Sequence, residues 1–307
     1  MSEPMRITVL EGGISAEREV SLRTGSAVAA ALRGQGHEVT EVVVESEDFR
    51  LPARCDVVFN ALHGTFGEDG EVQRILEGRG VPYTGCGIDS SARAFDKLAS
   101  KRAFVAAGVP TPEFAVCGPQ TDRPPFDVPL VVKPPRQGSS VGVTRVTEAA
   151  QWGAALREAL RFDDPVLVEK MIFGRELTVG ILGEDALPVI EIVPREGFYD
   201  YANKYTAGRT EYLCPASLPE GATERVQRAA LAAHRALGCE VYSRVDVLLD
   251  RDGSPSVLEV NTIPGMTATS LLPKAAAAVG ISFGALCERI IAISLALRGG
   301  ADSRRKL

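Results

Sequence analysis

Four polar side chains interrupt two strand-like segments in the last quarter of the chain. Arg244 and Asp246 lie two positions apart in one segment, and Glu259 and Asn261 lie two positions apart in the next. Side chains two apart on a strand share a face, so we expect each pair on one side of its strand. Two carboxylates and an amide oxygen are hard donors suited to Mg²⁺, which usually keeps positions for water and substrate phosphates. The spacing predicts a metal site for phosphate chemistry, although either strand alone would favour a solvated face.

A turn rich in glycine and serine lies between Lys133 and a β-prone run at residues 143–146. Residues 138–142 of this turn can fold backbone N–H groups and hydroxyls around a phosphate chain, with Lys133 as a point charge. The turn is not a P-loop, because the G-x-x-x-x-G-K-[ST] spacing and the following helix are absent. A plain hairpin turn is the structural alternative. The turn also matches the G-x-S-x-G elbow of serine hydrolases, with Ser140 as nucleophile and His234 as base, although no helix is predicted after it.

Composition and charge exclude several classes of protein. The 307 residues include 34 basic and 40 acidic side chains, and the net charge of -6 argues against a general binder of nucleic acid or membrane surfaces. No segment is apolar over a length that spans a bilayer, and no secretory leader is recognised, so we expect a cytoplasmic protein. Six widely spaced cysteines without a C-x-x-C pair indicate reduced thiols, and with only three scattered histidines no zinc site is predicted.

Hydrophobic periodicity divides the chain into two kinds of architecture. Strands and helices alternate in the first third, which predicts a parallel sheet built from β-α-β units. The predicted segments there are a strand at 6–10, a helix at 20–33, strands at 39–44 and 56–62, and a helix at 71–77. A helical stretch at 90–107 and a proline-rich connection follow, and strands at 166–171, 177–182 and 188–193 favour an antiparallel sheet. The predicted fold class is α/β, with an α+β part after the first third.

Further charged residues lie at the ends of predicted strands and helices. Glu169, Lys170 and Ile172 end one strand and Glu176 follows, so this segment can offer backbone groups to an adenine edge and a carboxylate to a ribose. A surface ion pair, which contributes little to stability, is the alternative. Glu17 falls in the first turn of a predicted helix, where interaction with the helix dipole alone explains an acidic residue.

These motifs occur in the order found in one enzyme family. The segments that carry the likeness are residues 12–22, 61–64, 67–70, 82–85, 96–97, 133–134, 138–142, 198–201, 204–205, 244–246 and 258–266. Together they resemble the D-alanine:D-alanine ligase family of the ATP-grasp superfamily over nearly the whole chain. The resemblance implies an ATP-grasp fold with an N-terminal preATP-grasp domain at 1–92, a central domain at 93–171 and a C-terminal domain at 172–307. It also implies that ATP lies between the last two domains.

The resemblance assigns roles to individual positions. Two Mg²⁺ ions, with Mn²⁺ as a substitute, are implied at Asp246, Glu259 and Asn261. Contacts to ATP are implied for Lys97, Lys133, Gly138, Ser140, Glu169, Lys170, Ile172, Glu176 and Lys204. The implied catalytic residues are Glu17, Ser139, Tyr205, Arg244 and Gly265. The implied substrate contacts are Glu17, His63, Ser270 and Leu271.

The resemblance also implies a reaction and its cellular context. The carboxylate of a first D-alanine attacks the γ-phosphate of ATP, and the amine of a second then displaces phosphate, which gives D-alanyl-D-alanine for peptidoglycan precursors. Tyr205 favours this dipeptide over D-alanyl-D-lactate, since relatives that make the ester lack this tyrosine. Three alternatives stay open: a ligase for another acceptor, a serine hydrolase using Ser140, and a nucleotide-binding protein without catalysis. The implied context is a cytoplasmic homodimer that binds neither nucleic acid nor membrane.

Overall fold

Three β-sheets dominate the part of the chain that the computed structural model describes, residues 3–195 and 210–299. A three-stranded parallel sheet falls within residues 6–60. A four-stranded antiparallel sheet falls within 114–170, and a six-stranded antiparallel sheet lies within 174–261. The predicted change from a parallel to an antiparallel arrangement after the first third of the chain is confirmed. The strand predicted at 166–171, however, lies in a different antiparallel sheet from the strands predicted at 177–182 and 188–193.

The first sheet is built from β-α-β units, as its periodicity predicts. Its strands are β1 (Arg6–Gly12), β2 (Glu38–Val44) and β3 (Val57–Asn60), in the order β2-β1-β3. Helix α1 (Arg18–Gly34) connects β1 to β2 and buries Val28 and Leu32 against the sheet. Helix α2 (Glu71–Gly78) follows β3 after a loop. The start of α1 and that loop both lie at the carboxyl ends of the parallel strands, where open α/β sheets bind ligands.

Two short helices replace the single helical stretch predicted at 90–107. They are α3 (Ile88–Phe95) and α4 (Lys97–Ala106). Asp96 between them has an extended backbone, with ψ of 104°, and its Oδ1 accepts hydrogen bonds from the backbone N–H groups two and three residues later at 2.8 and 3.1 Å. This carboxylate caps α4, so a new helix begins where the apolar period alone shows no break. Lys97 is thereby fixed as the first residue of α4.

The second sheet has the strand order β4-β7-β5-β6. Its strands are β4 (Phe114–Cys117), β5 (Leu130–Lys133), β6 (Thr144–Val146) and β7 (Val166–Lys170). Helix α5 (Trp152–Ala159) covers one face, with Trp152 and Leu156 in the apolar cluster. The glycine- and serine-rich turn connects β5 to β6, which pair with each other in antiparallel fashion. The turn therefore projects from the end of a hairpin.

The third sheet has the strand order β11-β10-β8-β12-β13, with β9 beside β8. Its strands are β8 (Gly174–Leu182), β9 (Asp185–Ala186), β10 (Ile190–Pro194), β11 (Thr210–Leu213), β12 (Tyr242–Asp250) and β13 (Pro255–Asn261). Helix α6 (Ala222–Ala236) buries Val226 and Ala233 in an apolar cluster with Val245 and Val260. This packing fixes which faces of β12 and β13 remain available to a cleft.

Two helices after the third sheet return to the first one. They are α7 (Leu271–Ala278) and α8 (Phe283–Gly299). Ile290 of α8 lies in one apolar cluster with Ile7 of β1 and Val28 of α1, so the two ends of the chain share a core. Within the described ranges no single helix has the length and apolar character to cross a membrane, and α7 and α8 would qualify only as a pair bent by 101°.

Candidate active site

Strands β12 and β13 bring four polar side chains together on one face. Their register sets Arg244 opposite Asn261 and Asp246 opposite Glu259, and residues directly opposite each other share a face. Arg244 donates to both oxygens of Asp246, from Nε to Oδ1 at 2.9 Å and from Nη2 to Oδ2 at 2.8 Å. The amide of Asn261 donates to Asp246 Oδ2 at 3.2 Å. Thr178 of β8 adds a hydrogen bond to Oδ1 at 2.6 Å, so three neighbours orient this carboxylate.

A β-bulge in β13 adds one residue to the cleft face. Asp246 pairs with Glu259, whereas the next residue, Val247, pairs with Val257. Leu258 is the extra residue and lines the cleft together with Glu259, while Val257 is fully buried. A bulge of this kind sets two residues of one strand opposite a single residue of its partner. Strict alternation of faces, the expectation for an unbroken strand, therefore fails at this point.

Lys97 connects the glycine- and serine-rich turn to the polar strands. Its Nζ donates to the carbonyl oxygen of Gln137 at 2.8 Å and lies 3.3 Å from Glu259 Oε2. Its backbone N–H donates to the carbonyl oxygen of Pro135 at 3.0 Å. The cap on α4 thus places a cation between the turn and the carboxylate, a position from which an amine can contact a phosphate.

Glu17 and Ser139 meet across the cleft, although 122 positions separate them in the chain. Ser139 Oγ donates to Glu17 Oε1 at 2.5 Å. Ser139 and Ser140 have φ angles of 51° and 59°, a region of backbone space that residues other than glycine rarely adopt. A Cβ on Gly138 or on Gly64 would lie 2.7 or 2.8 Å from Glu17 Oε2, so a side chain at either position would displace this carboxylate.

His63 lies in the same corner of the cleft, between Thr24 and Glu68. Its Nε2 is 3.1 Å from Thr24 Oγ1, and its Nδ1 is 3.5 Å from Glu68 Oε1. Burial raises the pKa of Glu68 by more than the hydrogen bond with His63 lowers it, and the charge of Glu17 raises it further. Glu68 was not predicted as a site residue. The signal that could have identified it is its position in residues 67–70, one of the segments that carry the family resemblance.

Glu169 is held between two lysines beneath the cleft. One carboxylate oxygen pairs with Lys101 and the other with Lys133. Burial alone would raise the pKa of Glu169, but the charges of the two lysines outweigh that effect and hold the pKa at about 2. Because the side chain is occupied in this way, an adenine contact at position 169 is left to its backbone. Lys101 is a second residue that sequence reasoning misses.

The neighbouring residues of the predicted adenine segment all line the cleft but differ in exposure. The Lys170 side chain is half exposed, with Nζ 2.5 Å from Glu113 Oε2 and 5.2 Å from the centroid of the Phe126 ring. Ile172 and Glu176 line the cleft. Lys170, Ile172 and Glu176 thus lie along the cleft wall, where the predicted contacts to a base and a ribose would be made.

Ser270 and Gly265 shape the cleft at the start of α7, whose first residue is Leu271. Ser270 Oγ accepts a hydrogen bond from the Thr267 backbone N–H at 3.0 Å and lies 2.9 Å from the Thr267 hydroxyl. A Cβ on Gly265 would lie 3.1 Å from Ser270 Oγ. Backbone N–H groups at a helix start attract carboxylates, so this end of the cleft is suited to the carboxylate of an amino acid.

The cleft has a volume of about 910 Å³ and brings the predicted residues together. Every sequence-predicted site residue in the described ranges lines it. Lys204 and Tyr205 lie outside those ranges. Ser140 stands in a turn between two strands, whereas His234 is buried in the core with Nδ1 2.7 Å from Ser243 Oγ. The serine hydrolase alternative therefore lacks the strand-to-helix elbow, and its predicted base, His234, is not available to Ser140.

Sequence models of known families match both parts of the chain. The model described as D-ala D-ala ligase C-terminus matches residues 119–292, and the one described as D-ala D-ala ligase N-terminus matches residues 42–86. A protein named D-alanine--D-alanine ligase from Methylacidiphilum infernorum (isolate V4) is 51% identical over 95% of this chain and 96% of its own. One of the same name from Anaeromyxobacter sp. (strain Fw109-5) is 52% identical over 93% of this chain and 96% of its own.

Solved structures with similar names share the fold over nearly the full length. The D-alanine--D-alanine ligase from Bacillus anthracis complexed with ATP gives a TM-score of 0.83 at 35% identity, over 97% of this chain and 99% of that one. The VanG D-Ala:D-Ser ligase from Enterococcus faecalis gives a TM-score of 0.81 at 30% identity, over 95% of this chain and 100% of that one.

Proposed function

This chain belongs to the D-alanine–D-alanine ligase family, and from that premise we propose that it joins two D-alanines while ATP is converted to ADP and inorganic phosphate. The predicted ATP-grasp fold is confirmed. The observation that carries the proposal is the meeting of three groups in one cleft: the Asp246–Arg244 pair, Lys97 beside Glu259, and Glu17 with Ser139. We assign the Asp246–Arg244 pair to binding of metal and phosphate, and Glu17 with Ser139 to binding of an amino acid. Lys97 is the cation that lies between these two regions. We assign them to the two half-reactions in turn.

In the first half-reaction the carboxylate of one D-alanine attacks the γ-phosphate of ATP. Glu17, which accepts a hydrogen bond from Ser139, would accept the ammonium group of this substrate. Lys97 and Lys133 then counter the negative charge that spreads over the transferred phosphoryl group. The products are a D-alanyl phosphate and ADP, and the carbonyl carbon of the mixed anhydride has a good leaving group.

In the second half-reaction the amine of another D-alanine attacks that carbonyl carbon. The attack places negative charge on the carbonyl oxygen, and inorganic phosphate leaves as the peptide bond forms. The Arg244 guanidinium, whose plane is fixed by its bidentate pair with Asp246, and the backbone N–H of Gly265 would stabilise this oxyanion. One donor of this type contributes roughly 3 kcal/mol to a transition state. Ser270 and the start of α7 would hold the carboxylate of the second D-alanine.

The side chains at β12 and β13 fit a magnesium site. Asp246, Glu259 and Asn261 offer two carboxylates and an amide oxygen on one face. Among the described residues no group of three or more histidine, cysteine, aspartate or glutamate side chains is arranged to hold a metal ion. A small set of hard oxygen donors suits Mg²⁺, which retains water and phosphate oxygens in its shell. Bound Mg²⁺ would neutralise charge on the ATP phosphates. We propose two such ions, with Mn²⁺ as a substitute.

The acceptor specificity and the cellular context are further parts of the proposal. A structural neighbour is named a D-Ala:D-Ser ligase, so the fold accommodates other second substrates. We propose D-alanine as the acceptor here because Tyr205 is present. We also propose three domains, at residues 1–92, 93–171 and 172–307. The enzyme is proposed to be a cytoplasmic homodimer that supplies peptidoglycan precursors. Six cysteines without a disulfide are consistent with a reducing compartment.

ADP release tests the proposed function directly. The purified enzyme is assayed with ATP and each of D-alanine, L-alanine and D-lactate, with and without MgCl₂. We expect ADP release that requires both Mg²⁺ and D-alanine, with D-alanyl-D-alanine as the product identified by mass spectrometry. Equal ADP release without D-alanine would contradict ligation, and binding of ATP without turnover would support the non-catalytic alternative.

A further inference from the structure

A lysine beneath the cleft has no place in the proposed half-reactions. Lys101 is 1% exposed and lies one helical turn after Lys97 on α4. Its Nζ pairs with Glu169, donates to Thr111 Oγ1 at 2.5 Å and donates to the carbonyl oxygen of Val257 at 3.3 Å. A buried charge is costly unless it is paired and hydrogen-bonded, and Lys101 meets both conditions. An apolar side chain at this position would not have the desolvation cost of a buried ammonium group. A buried lysine here therefore indicates a role for its charge.

The two carboxylate oxygens of Glu169 pair with different lysines. One oxygen pairs with Lys101 and the other with Lys133, so the buried carboxylate serves two cations. Burial lowers the pKa of Lys101, whereas the charge of Glu169 beside it raises that pKa. With both lysines protonated and Glu169 ionised, the three side chains carry one excess positive charge. Glu169 and Lys101 are almost completely buried, whereas the Lys133 side chain is 15% exposed and lines the cleft. The excess charge is therefore available at Lys133.

The cluster also contacts the strand that carries the metal-site residues. Thr111 Oγ1 donates to the Val257 carbonyl oxygen at 2.7 Å, and Lys101 donates to the same oxygen. Val257 is the residue of β13 directly before the bulge. Helix α4 thus carries both lysines. Lys97 lines the cleft, and Lys101 connects Glu169 and Lys133 to strand β13.

We propose that Lys101 is a positioning residue for Lys133, because it compensates the charge of Glu169 and so leaves the Lys133 amine available to a phosphate of ATP. Without Lys101, Glu169 and Lys133 would form a closed one-to-one pair in a poorly solvated site, and the cleft would lose a cation. The inference rests on the proposed contact between Lys133 and ATP. It predicts that replacing Lys101 changes the KM for ATP and not the KM for D-alanine, although Lys101 is proposed to contact neither substrate.

A double-mutant cycle tests this role. ADP release is measured at saturating D-alanine and Mg²⁺ with ATP varied, for wild type, Lys101→Met, Lys133→Met and the double variant. We expect Lys101→Met to raise the KM for ATP about tenfold, with kcat and the KM for D-alanine within about twofold of wild type. In the Lys133→Met background the same change should add less than about twofold, since the cation that Lys101 positions is already absent.

Two further variants separate positioning from folding. Thr111→Val removes the hydroxyl that bonds Lys101 and Val257 but leaves the Lys101–Glu169–Lys133 pairs, so the KM for ATP should stay near wild type even if the urea midpoint falls. Lys101→Gln keeps an N–H donor without the charge, and it replaces Lys101→Met in the cycle if the latter does not fold.

Three results would overturn the proposal or its premise. Multiplicative effects of the Lys101 and Lys133 changes on the KM for ATP would show that Lys101 acts independently of Lys133. An unchanged KM for ATP in both Lys101 variants would exclude positioning altogether. If Lys133→Met alone leaves the KM for ATP unchanged, the proposed contact between Lys133 and ATP fails, and the role of Lys101 fails with it, whereas D-alanine-dependent ADP release would still support the ligase activity.

Discussion

The change Gly138→Ala tests whether the contact between Ser139 and Glu17 serves the first D-alanine. The added Cβ would lie 2.7 Å from Glu17 Oε2 and 3.3 Å from Glu17 Cδ, and φ of Gly138 is not positive, so the effect is steric and not conformational. To reach ordinary van der Waals distance the carboxylate must withdraw by roughly half an ångström or more. The hydrogen bond from Ser139 Oγ, now 2.5 Å long, cannot survive that movement unchanged.

The size of the effect follows from the type of bond. A hydrogen bond to a charged group contributes about 1.5 to 3 kcal/mol, and each 1.4 kcal/mol corresponds to about a tenfold change in rate. We therefore expect kcat/KM for D-alanine, measured by coupled ADP release with ATP and Mg²⁺ saturating, to fall about 10- to 100-fold. Ser139→Ala removes the same bond by deletion and should give a loss in the same range.

A matched control excludes a general effect of adding a methyl group. Gly34 ends helix α1, and a Cβ there would meet nothing within 4 Å, so Gly34→Ala should leave kcat/KM for D-alanine unchanged. The reasoning is refuted if Gly138→Ala and Ser139→Ala both keep wild-type kcat/KM for D-alanine. A loss in Gly138→Ala alone would point instead to the closure of the turn over ATP.

Three other predictions follow from individual contacts. Asp246→Asn should raise the Mg²⁺ concentration needed for half-maximal ADP release at least tenfold, since a charged ligand and the pair with Arg244 are both lost; an unchanged Mg²⁺ requirement would remove Asp246 from the metal site. Burial lowers the pKa of His234 to about 4, so the histidine is neutral in the fold and protonation favours the unfolded chain. Its contribution to stability is complete above about pH 6.5 and should decline by up to about 3 kcal/mol as the pH falls to 4. The difference in unfolding free energy between wild type and His234→Gln, measured in urea, should therefore change with pH over this range. Tyr205→Phe should raise the ratio of D-lactate to D-alanine use as acceptor in product analysis, and an unchanged ratio would argue against a role for this phenol.

The polar strands were predictable from the sequence because their signal is local. Arg244 and Asp246, like Glu259 and Asn261, follow the period of a strand, and polar residues in two otherwise apolar segments are visible without any knowledge of the fold. The pairing of these two strands then sets all four on one face. The bulge at Leu258 was not predictable, since an extra residue in a ladder depends on the partner strand.

The contact between Glu17 and Ser139 could not come from spacing. These residues lie in different parts of the fold, and only the resemblance to a known family associates them. Neither residue spacing nor the family resemblance indicated Lys101. A lysine four residues after Lys97 on a helix is typical of a solvent-exposed face. Its burial depends on Glu169, which contacts it from strand β7 of the second sheet. The break at Asp96 was missed for a simpler reason: apolar periodicity does not record a capping carboxylate.

The bulge in β13 has a consequence for how the site can vary. Leu258 and Glu259 are consecutive residues that both line the cleft opposite Asp246, so an apolar wall and an anionic wall share one short piece of backbone. Any substitution that tilts this segment moves both at once. Variants of β13 that move the proposed metal ligand Glu259 should therefore change the apolar wall at Leu258 as well. Natural or selected variation that adjusts only one of them is expected elsewhere, at positions whose backbone carries a single contact.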